Sequence, residues 1–526
     1  MRKTIPLVVL GLVTTLGLQA ASIAPWGLGP AGAQPAGPRY GGTLRIGMQT
    51  DPVGLDPHLS TATATKNMIE HIYDTLVFVS PEGRFIPGLA ESWRTSQDGL
   101  TWTFALRRTV KFHNGRPMTA DDVVYSINRV RDPRTRSPWA GNFVDVDTVT
   151  APDPHTVVFR LKKPFAPLLA KLSSILSSAI VAREVVERDE MQASPTGTGP
   201  FRFVGYTPQQ RLVLVRSGDY WETDATGRRL PYLDRIEFVF FPDAVARATA
   251  LRTGTVDFIE YVPSSEVRTL RADPNIEVLG GPSANFRAIY INNAVAPFNN
   301  PKVRQAMAWA VNRKEIIETA LFGVGGIEAT GFVIPPGNYY AVSKVVYDKV
   351  DLDRARRLLA EAGHPNGFEA EFYVTSTYDF LRTPAEIIQA QLARIGIRLR
   401  IRAADWSVYL PTVAAKQYAL TLLGTSGQVD PDDYLYTNFK TGDRRNFVNF
   451  SDATFDRLIE EGQTISDERQ RKRIYDQAQL RALELVPMVM LFHSTTFEAT
   501  RKHVQGFEHQ QNQSYLYLRR TWMAPR

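Results

Sequence analysis

The stretch from Leu89 to Val130 constrains the fold most, because its hydrophobic periodicity changes from that of a strand to that of a helix. After the turn cluster Ser96–Gly99, apolar and polar residues alternate from Leu100 to Arg107, which predicts a half-buried strand. Val110–Phe112 predicts a second short strand, and Thr119 is placed to cap a following amphipathic helix. The stretch therefore predicts a small α+β unit.

The length of the chain predicts more than one lobe, because 526 residues exceed what a single hydrophobic core usually organises. Strands and helices alternate in two blocks, residues 42–285 and residues 286–501, which we assign to lobe I and lobe II. Residues 81–190 depart from this alternation and predict an α+β subdomain inserted into lobe I. Residues 502–526 are expected to return to lobe I.

Residues 1–33 have the features of a secretory signal peptide. Arg2 and Lys3 form a positively charged N-terminal region, and an apolar run follows it. Small residues typical of a signal-peptidase cleavage site lie between Ala24 and Ala33. Residues 34–41 predict a flexible linker. The alternative is an uncleaved membrane anchor, although glycines, threonines and a proline make the run weak for a spanning helix.

The chain contains no cysteine, which excludes disulfides, thiolate metal sites and a lipid-modified cysteine anchor. Together with the signal peptide, this predicts an exported protein that diffuses freely in the periplasm. The formal net charge is +7, but lysines and arginines are dispersed along the chain. A nucleic-acid interface would need them clustered on one element, so we expect no nucleic-acid partner.

No local motif for catalysis or metal binding is present. The eight histidines form no HExxH pair, and neither a GxSxG elbow nor a GxxxxGK[ST] loop occurs. We therefore expect no catalytic residues, no metal ion and no cofactor. Catalytic groups need not be adjacent in sequence, so a secreted two-lobe hydrolase stays an alternative.

The run LAESW..S.DGLTWTF.LR..VKFHNG.P.TADDVVYSI resembles the signature of the peptide-type solute-binding proteins of bacterial ABC importers, family 5. Further similarities, such as GTGPF at residues 197–201, extend along nearly the whole chain. The resemblance implies a two-lobe periplasmic-binding-protein fold, type II-like (cluster C). It also implies a monomer that delivers a peptide-like or other small polar solute to an inner-membrane ABC permease. A chaperone-like peptide binder is a further alternative.

The resemblance also implies candidate ligand contacts. Thr61 lies in the segment that matches the first ligand-facing loop, or it caps the following helix. Trp139 lies in a loop that reaches the cleft in relatives, or it packs in the core. Trp406 and Tyr409 lie where relatives face the cleft. His493, just after the strand that ends at Phe492, is a further candidate. For each of the three, ordinary packing or, for His493, a satisfied histidine is the alternative.

The loop after the strand Leu420–Leu423 resembles the family's cleft loop, with Gly427, Gln428 and Asp430 as candidate ligand contacts. Asp430 is alternatively a turn-forming residue. Dipeptide binders carry a tryptophan and an aspartate where this chain has Gly424 and Gly427. The resemblance therefore implies a wider, less acidic cleft and weak binding of simple dipeptides.

The arginine that dipeptide binders use for the peptide carboxylate is also missing from the matching segment, Tyr373 to Tyr378. Arg382 is nearby, but its position does not match. Both charged ends of a short-peptide clamp are therefore absent from their usual positions.

Overall fold

The structure is a computed structural model that describes residues 37–525, apart from residues 330, 343, 345, 377–378 and 426–428 and the side chains of 379, 380 and 407. The predicted signal peptide, the start of the predicted linker, Gly427 and Gln428 lie outside the described residues. The strands of the described chain are, in order, β1 Thr43–Met48, β2 Val77–Val79, β3 Phe85–Pro87, β4 Ala90–Thr95, β5 Thr101–Leu106, β6 Val146–Asp153, β7 Thr156–Leu161, β8 Phe201–Thr207, β9 Arg211–Arg216, β10 Arg235–Phe240, β11 Phe258–Ile259, β12 Ile276–Ile291, β13 Gly326–Glu328, β14 Phe368–Thr375, β15 Ile397–Ala404, β16 Leu420–Thr425, β17 Met488–Arg501, β18 Val504–Gln505 and β19 Trp522–Met523.

The helices alternate with these strands through most of the chain. In order, they are α1 Thr63–Ile69, α2 Ala120–Arg131, α3 Leu168–Leu172, α4 Ile175–Ser178, α5 Arg183–Glu187, α6 Ala244–Thr253, α7 Val267–Ala272, α8 Pro301–Ala310, α9 Arg313–Ala320, α10 Leu352–Glu361, α11 Asp379–Ala393, α12 Trp406–Ala414, α13 Pro431–Phe439, α14 Ala453–Thr464 and α15 Glu468–Leu485. Within the described residues, none of them combines the length and apolar character of a membrane span.

Two long antiparallel strands, β12 and β17, run through the middle of an eleven-stranded sheet. Ile276–Pro282 pair with Thr495–Arg501, and Phe286–Tyr290 pair with Met488–His493. The register shifts between these two paired stretches. We call the irregular stretch, residues 283–285 together with Ser494, the crossover.

The crossover divides the sheet into two lobes. Strands β11, β1, β10, β9 and β8 continue the sheet on one side, and with the inserted subdomain they form lobe I. Strands β16, β14 and β15 continue it on the other side, where β13 also pairs with β17, and they form lobe II.

In each lobe, separate hydrophobic clusters pack on the two faces of the sheet. On β12, Ile289 and Ile291 belong to one cluster of lobe II, whereas Ala288 and Tyr290 belong to the other. This division follows because successive strand residues point to opposite faces. In lobe I, Phe258 and Ile259 divide between two clusters in the same way. The predicted two-lobe α/β fold is therefore confirmed.

The inserted α+β subdomain has its own four-stranded antiparallel sheet, in the order β4-β5-β7-β6. The strand predicted over Leu100–Arg107 is confirmed as β5, which spans Thr101–Leu106. The predicted cap is also present, since Thr119 and Asp122 form a capping box at the start of α2. The predicted inserted subdomain is thus part of the observed fold.

The short strand predicted over Val110–Phe112 is wrong. One isolated bridge joins Lys111 to Pro117 there. The N–H of Phe112 already donates to the carbonyl oxygen of Arg116 at 2.9 Å, so the turn between them returns the chain too soon for a strand pair to extend.

The hydrophobic pattern predicts a final strand over Met488–Phe492, but strand β17 continues to Arg501. The extension contains Glu498 and Thr500, both buried. Because these residues are polar, the hydrophobic pattern of the sequence does not extend over this part of the strand. Because this extension pairs with lobe I, the strand itself carries the chain from one lobe to the other.

The spacing of apolar residues from Thr61 to Val77 predicts one long helix, but α1 ends at Ile69. The carbonyl oxygen of Ile72 accepts a hydrogen bond from the N–H of Gly199 at 2.9 Å. A Cβ at Gly197 would lie 2.1 Å from the same oxygen. Close packing of the GTGPF segment therefore takes over hydrogen bonds that a longer helix would have made.

Candidate functional site

The carboxyl ends of strands from both lobes converge on the crossover. In lobe II, β16 runs antiparallel to β12 and ends at Thr425, while its parallel neighbours β14 and β15 end on the same edge. In lobe I, β11 and its parallel neighbour β1 run toward the crossover from the opposite side. Ligands of α/β sheets bind beyond the carboxyl ends of the strands, so the cleft at the crossover is the candidate site.

Arg287 lies on β12 directly beside the crossover. Its Cα pairs with Gly424 of β16 and Phe492 of β17. Its Nη1 donates to the carbonyl oxygens of Phe286 at 2.8 Å and Thr425 at 3.5 Å. Burial lowers the pKa of Arg287, but a guanidinium keeps its proton at neutral pH. A positive charge therefore lies where the cleft loop begins.

The prediction that Gly424 widens the cleft is wrong. A Cβ at this position would lie 1.9 Å from the carbonyl oxygen of Phe286 and 2.7 Å from Nη1 of Arg287. The space beside the glycine is filled by the arginine side chain and by the neighbouring strand. Gly427, the second glycine of that prediction, lies outside the described residues, as does the candidate Gln428.

Asp430 is buried, and its carboxylate is engaged inside lobe II. It caps α13 by accepting the N–H of Asp432 at 2.9 Å. Each of its oxygens also accepts a hydrogen bond from Arg471 at 2.7 Å. This candidate therefore lies in a helix cap and a bidentate ion pair.

The acids that follow in α13 form part of the contact between the lobes. Asp433 makes an ion pair with Lys171 of α3 in lobe I. Asp432 accepts a hydrogen bond from Nε2 of Gln463 at 2.8 Å, and burial raises the pKa of Asp432 to about 7. The N–H of Ala166 in lobe I donates to the carbonyl oxygen of Gln463 at 2.7 Å. The lobes thus touch across the cleft.

A cavity of about 160 Å³ lies beside these contacts. Lobe I contributes Trp102 and Leu169 to its wall, and lobe II contributes Tyr340 and Arg471. Aromatic rings with a few charged groups are typical walls of a small-molecule site.

Trp406 and Tyr409 stack at the start of α12, with ring centroids 5.4 Å apart. Tyr409 is fully buried, and its hydroxyl donates to the carbonyl oxygen of Leu422 at 2.8 Å. Trp406 is partly exposed at the cleft edge of lobe II. Tyr409 therefore supports the tryptophan from the core, and the tryptophan is the one of the two that a ligand can touch.

Thr61 and Trp139 are close to each other in lobe I. The indole Nε1 of Trp139 donates to the carbonyl oxygen of Ser60 at 2.8 Å, and Thr61 is exposed. The N-cap residue of α1 is Ala62, without a side-chain capping bond, so Thr61 does not cap the helix.

His493 lies on β17 beside the crossover, where it pairs with Phe286 of β12 and Ile327 of β13. The side chain is buried, and burial lowers the pKa of His493 to about 4, so the ring is neutral at neutral pH. Its Nδ1 has no hydrogen-bond partner among the described residues.

Glu260 follows β11 at the cleft edge of lobe I and is fully buried. Its Oε1 accepts the N–H of Gln49 at 2.7 Å, while Oε2 has no hydrogen-bond partner in the described part of the chain. Burial raises the pKa of Glu260 to about 7, partly offset by this hydrogen bond and by Arg247. Burial therefore brings the pKa of this carboxyl group close to neutral pH.

Sequence reasoning did not identify Arg287, Lys171 or Glu260. One arginine within the apolar run Phe-Arg-Ala-Ile-Tyr-Ile was an available signal for Arg287. Lys171 and Glu260 carry no local signal, because their surroundings come from distant parts of the chain. Across the described ranges, His, Asp and Glu side chains form no group of three that could hold a metal ion.

Comparison with known families matches residues 84–447 to "Bacterial extracellular solute-binding proteins, family 5 Middle". The chain is 31% identical to heme-binding protein A of Haemophilus influenzae, over 87% of this chain and 88% of that protein. It is 30% identical to the dipeptide-binding protein of Escherichia coli, over 88% and 92%.

Among solved structures, the chain is similar to the periplasmic binding protein AgaA of A. tumefaciens R10 in complex with agropinic acid. The TM-score is 0.77 and the identity 32%, covering 92% of this chain and 99% of that one.

Proposed function

Because the chain belongs to the bacterial extracellular solute-binding proteins of family 5, we propose that it captures a small polar solute, peptide-like or other, between its lobes and delivers it to an inner-membrane ABC permease. The observation that carries this proposal is the contact between Lys171 and Asp433 across the cleft. That ion pair needs the lobes to be closed. A ligand that touches both lobes adds binding energy to the same state and shifts the population toward it.

The proposed contacts lie on both sides of the cleft. We propose that Thr61 and Trp139 contact the ligand from lobe I, and that Trp406, Gly427 and Gln428 contact it from lobe II. Three other candidates have side chains that are buried or ion-paired: Tyr409, Asp430 and His493. We propose that they support the residues of this surface and do not contact the ligand.

The named relatives bind chemically different ligands, according to their names: heme, dipeptides and agropinic acid. Family membership therefore leaves the solute open. Gly427 in place of the aspartate of dipeptide binders supports a ligand other than a simple zwitterionic dipeptide.

We further propose export to the periplasm with cleavage after Ala33, a monomeric state, and binding without chemical turnover. The strand pairs support a division of the chain in which lobe II runs from Phe286 to about His493. Thr495–Arg501 then belong to lobe I, because they pair with its strand segment Ile276–Pro282.

Native mass spectrometry of the mature protein, purified from the periplasm, tests the proposal. We expect one small molecule bound per chain, released with unchanged mass when the protein unfolds. A ligand that the protein converts during incubation would favour the hydrolase alternative. A ligand-free protein would contradict solute capture.

A further inference from the structure

Another cavity, of about 310 Å³, lies in lobe I, and we call it the outer cavity. Its wall is formed by the hairpin β2–β3, by Arg107 after β5, by residues 221–223 between β9 and β10, and by residues 516–520. The end of β9 pairs with the start of β10, and the start of β10 pairs with the start of β1. Because β1 runs from there toward the crossover, the loop between β9 and β10 lies at the end of the lobe I sheet that is opposite to the cleft.

Two stacked aromatic rings of the outer cavity each carry an arginine. The ring centroids of Phe78 and Trp221 are 6.1 Å apart, and the ring planes are inclined by 25°. Cζ of Arg107 lies 4.5 Å from the ring centroid of Trp221, and Cζ of Arg519 lies 4.6 Å from that of Phe78. The face of an aromatic ring attracts a cation, so the stacked rings stabilise both guanidinium groups in the wall.

A buried carboxylate holds this arrangement from inside the lobe. Asp74 is fully buried, and its Oδ2 accepts a hydrogen bond from Nε1 of Trp221 at 3.1 Å. Its Oδ1 accepts a hydrogen bond from Nη2 of Arg519 at 3.4 Å. Nη1 of Arg519, which is also buried, donates to Oε2 of Glu222 at 3.0 Å. The tryptophan and the arginine are therefore positioned by the protein itself.

The charges of the outer cavity do not balance. Its lining contains Arg107, Arg519 and Arg520, and Glu222 is the one acid of that lining among the described residues. Arg519 and Arg520 both donate to Glu222. With Asp74 behind the wall, two carboxylates therefore face three guanidinium groups.

Arg107 carries the charge that is left over. Its Nε donates to the carbonyl oxygen of Gly88 at 2.7 Å. In the described part of the chain, no carboxylate lies within ion-pair distance of its guanidinium group. The Nη atoms of Arg107 are thus donors that can bind a negatively charged ligand in the cavity.

From this geometry we propose that the outer cavity binds a small organic oxyanion, a carboxylate or a phosphate ester, through Arg107 and Arg520. A planar guanidinium suits the paired oxygens of such a group. The volume is at the lower end of the usual range of ligand sites, roughly 300–1,000 Å³, which fits a small ligand. Ile86 and Leu516 of the same wall offer apolar contacts to its carbon atoms. This site is additional to the proposed solute cleft and does not depend on it.

Calorimetry on the mature protein tests the proposal with three probes of similar size. Phenyl phosphate and benzoate carry the two kinds of oxyanion, and benzyl alcohol is neutral. The variants are Arg107→Gln and Arg107→Lys, with Arg520→Gln at a second, exposed position. Arg108→Gln is the matched control, because it removes an exposed positive charge from the next residue, which does not line the cavity. Trp406→Ala changes the cleft instead.

We expect at least one of the two anions to bind and benzyl alcohol not to bind. The affinity should fall roughly tenfold or more in Arg107→Gln and less in Arg107→Lys, because lysine keeps the charge but loses the planar donors. Arg520→Gln should also weaken binding, whereas Arg108→Gln and Trp406→Ala should bind like the wild type. The anion that binds more tightly identifies the oxyanion that the site prefers. Circular dichroism checks folding, and Arg520→Gln remains as a test if the variants of Arg107 misfold.

A wild-type protein that binds neither anion would overturn the proposal, as would equal binding by Arg107→Gln and Arg108→Gln. Benzyl alcohol bound as tightly as the anions would contradict the oxyanion class. A loss in Trp406→Ala without a loss in Arg107→Gln would place the anion in the cleft and refute the outer site. In each case the proposed function would stand, because the solute released on unfolding tests it separately.

Discussion

At the scale of single residues, the side chain of Arg287 fills the space at the end of β16 that a side chain at position 424 would need. The glycine is needed for steric reasons, because the backbone oxygen of Phe286 lies 1.9 Å from the place of a Cβ. The absence of a side chain brings the strands together and leaves space for the arginine side chain. The local chemistry of the cleft therefore depends on a pair of residues that are distant in sequence.

Gly424→Ala should lower the midpoint of urea unfolding, because the new methyl group forces β16 away from β12. Overpacking of this kind costs about 1–3 kcal/mol. Gly205→Ala in β8 is the matched control, since a Cβ there would meet nothing within 4 Å. Equal midpoints for the two variants would show that β16 adapts without strain.

Glu260 should make stability depend on pH. Its folded-state pKa is raised from 4.5 to about 7 by burial, so the folded protein holds the proton that the unfolded chain loses above about pH 4.5. Stability from this group is present below that pH and is lost as pH rises through 7. Glu260→Gln cannot ionise, and its amide oxygen can still accept the N–H of Gln49.

We therefore expect Glu260→Gln to be more stable than the wild type by up to about 3 kcal/mol at pH 8, and by little at pH 4.5. Thermal melts at both pH values measure this difference. Glu277→Gln, at an exposed position of β12, is the control. The same stability difference at both pH values would refute the ionisation of a buried Glu260.

At the scale of elements, the structure depends on β12 and β17, which belong to both lobes. Local pattern predicts elements whose burial is regular, such as β5 and the capped start of α2. It does not predict the ends of elements that are set by contacts with distant parts of the chain. β17 continues through buried polar residues, and α1 ends where the GTGPF segment takes over the backbone hydrogen bonds.

The same distinction applies to the candidate site. The sequence predicts the loop after β16 and the start of α12, because each lies between a strand and a helix. It does not predict Arg287 beside Gly424, nor Lys171 beside Asp433, since each pair joins separate parts of the chain. The resemblance suggested open space at Gly424, which the position of Arg287 excludes.

The contact between α3 and α13 should favour the closed state. Lys171→Met, Asp433→Asn and the double variant form a thermodynamic cycle for ligand binding. We expect each single variant to weaken binding roughly fivefold, which corresponds to about 1 kcal/mol for a partly shielded ion pair. The double variant should be about as weak as either single variant, because the pair acts as a unit.

Calorimetry with the co-purified ligand measures this cycle. Lys302→Met, which breaks an exposed ion pair with Glu361 inside lobe II, is the matched control and should bind normally. Additive losses in the double variant would mean that the two residues act on binding independently of their contact.

At the scale of the whole molecule, two lobes with separate cores are joined by paired strands at the crossover. The strands constrain the direction of relative motion, and the contacts of Lys171 and Ala166 join the two lobes in the closed state. The free energy gained from ligand binding has to exceed the free-energy cost of bringing these surfaces together. We therefore infer that ligand occupancy and lobe closure are one coupled equilibrium.

The most direct test is a distance between the lobes, measured by pulsed electron spin resonance. The chain has no cysteine of its own, so Lys163→Cys in lobe I and Thr464→Cys in lobe II, both exposed, accept spin labels selectively. We expect a broad or double distance distribution for the ligand-free protein. Adding the co-purified ligand should convert it to the single short distance of the closed state. An unchanged distribution at full occupancy would contradict the coupling of capture to closure.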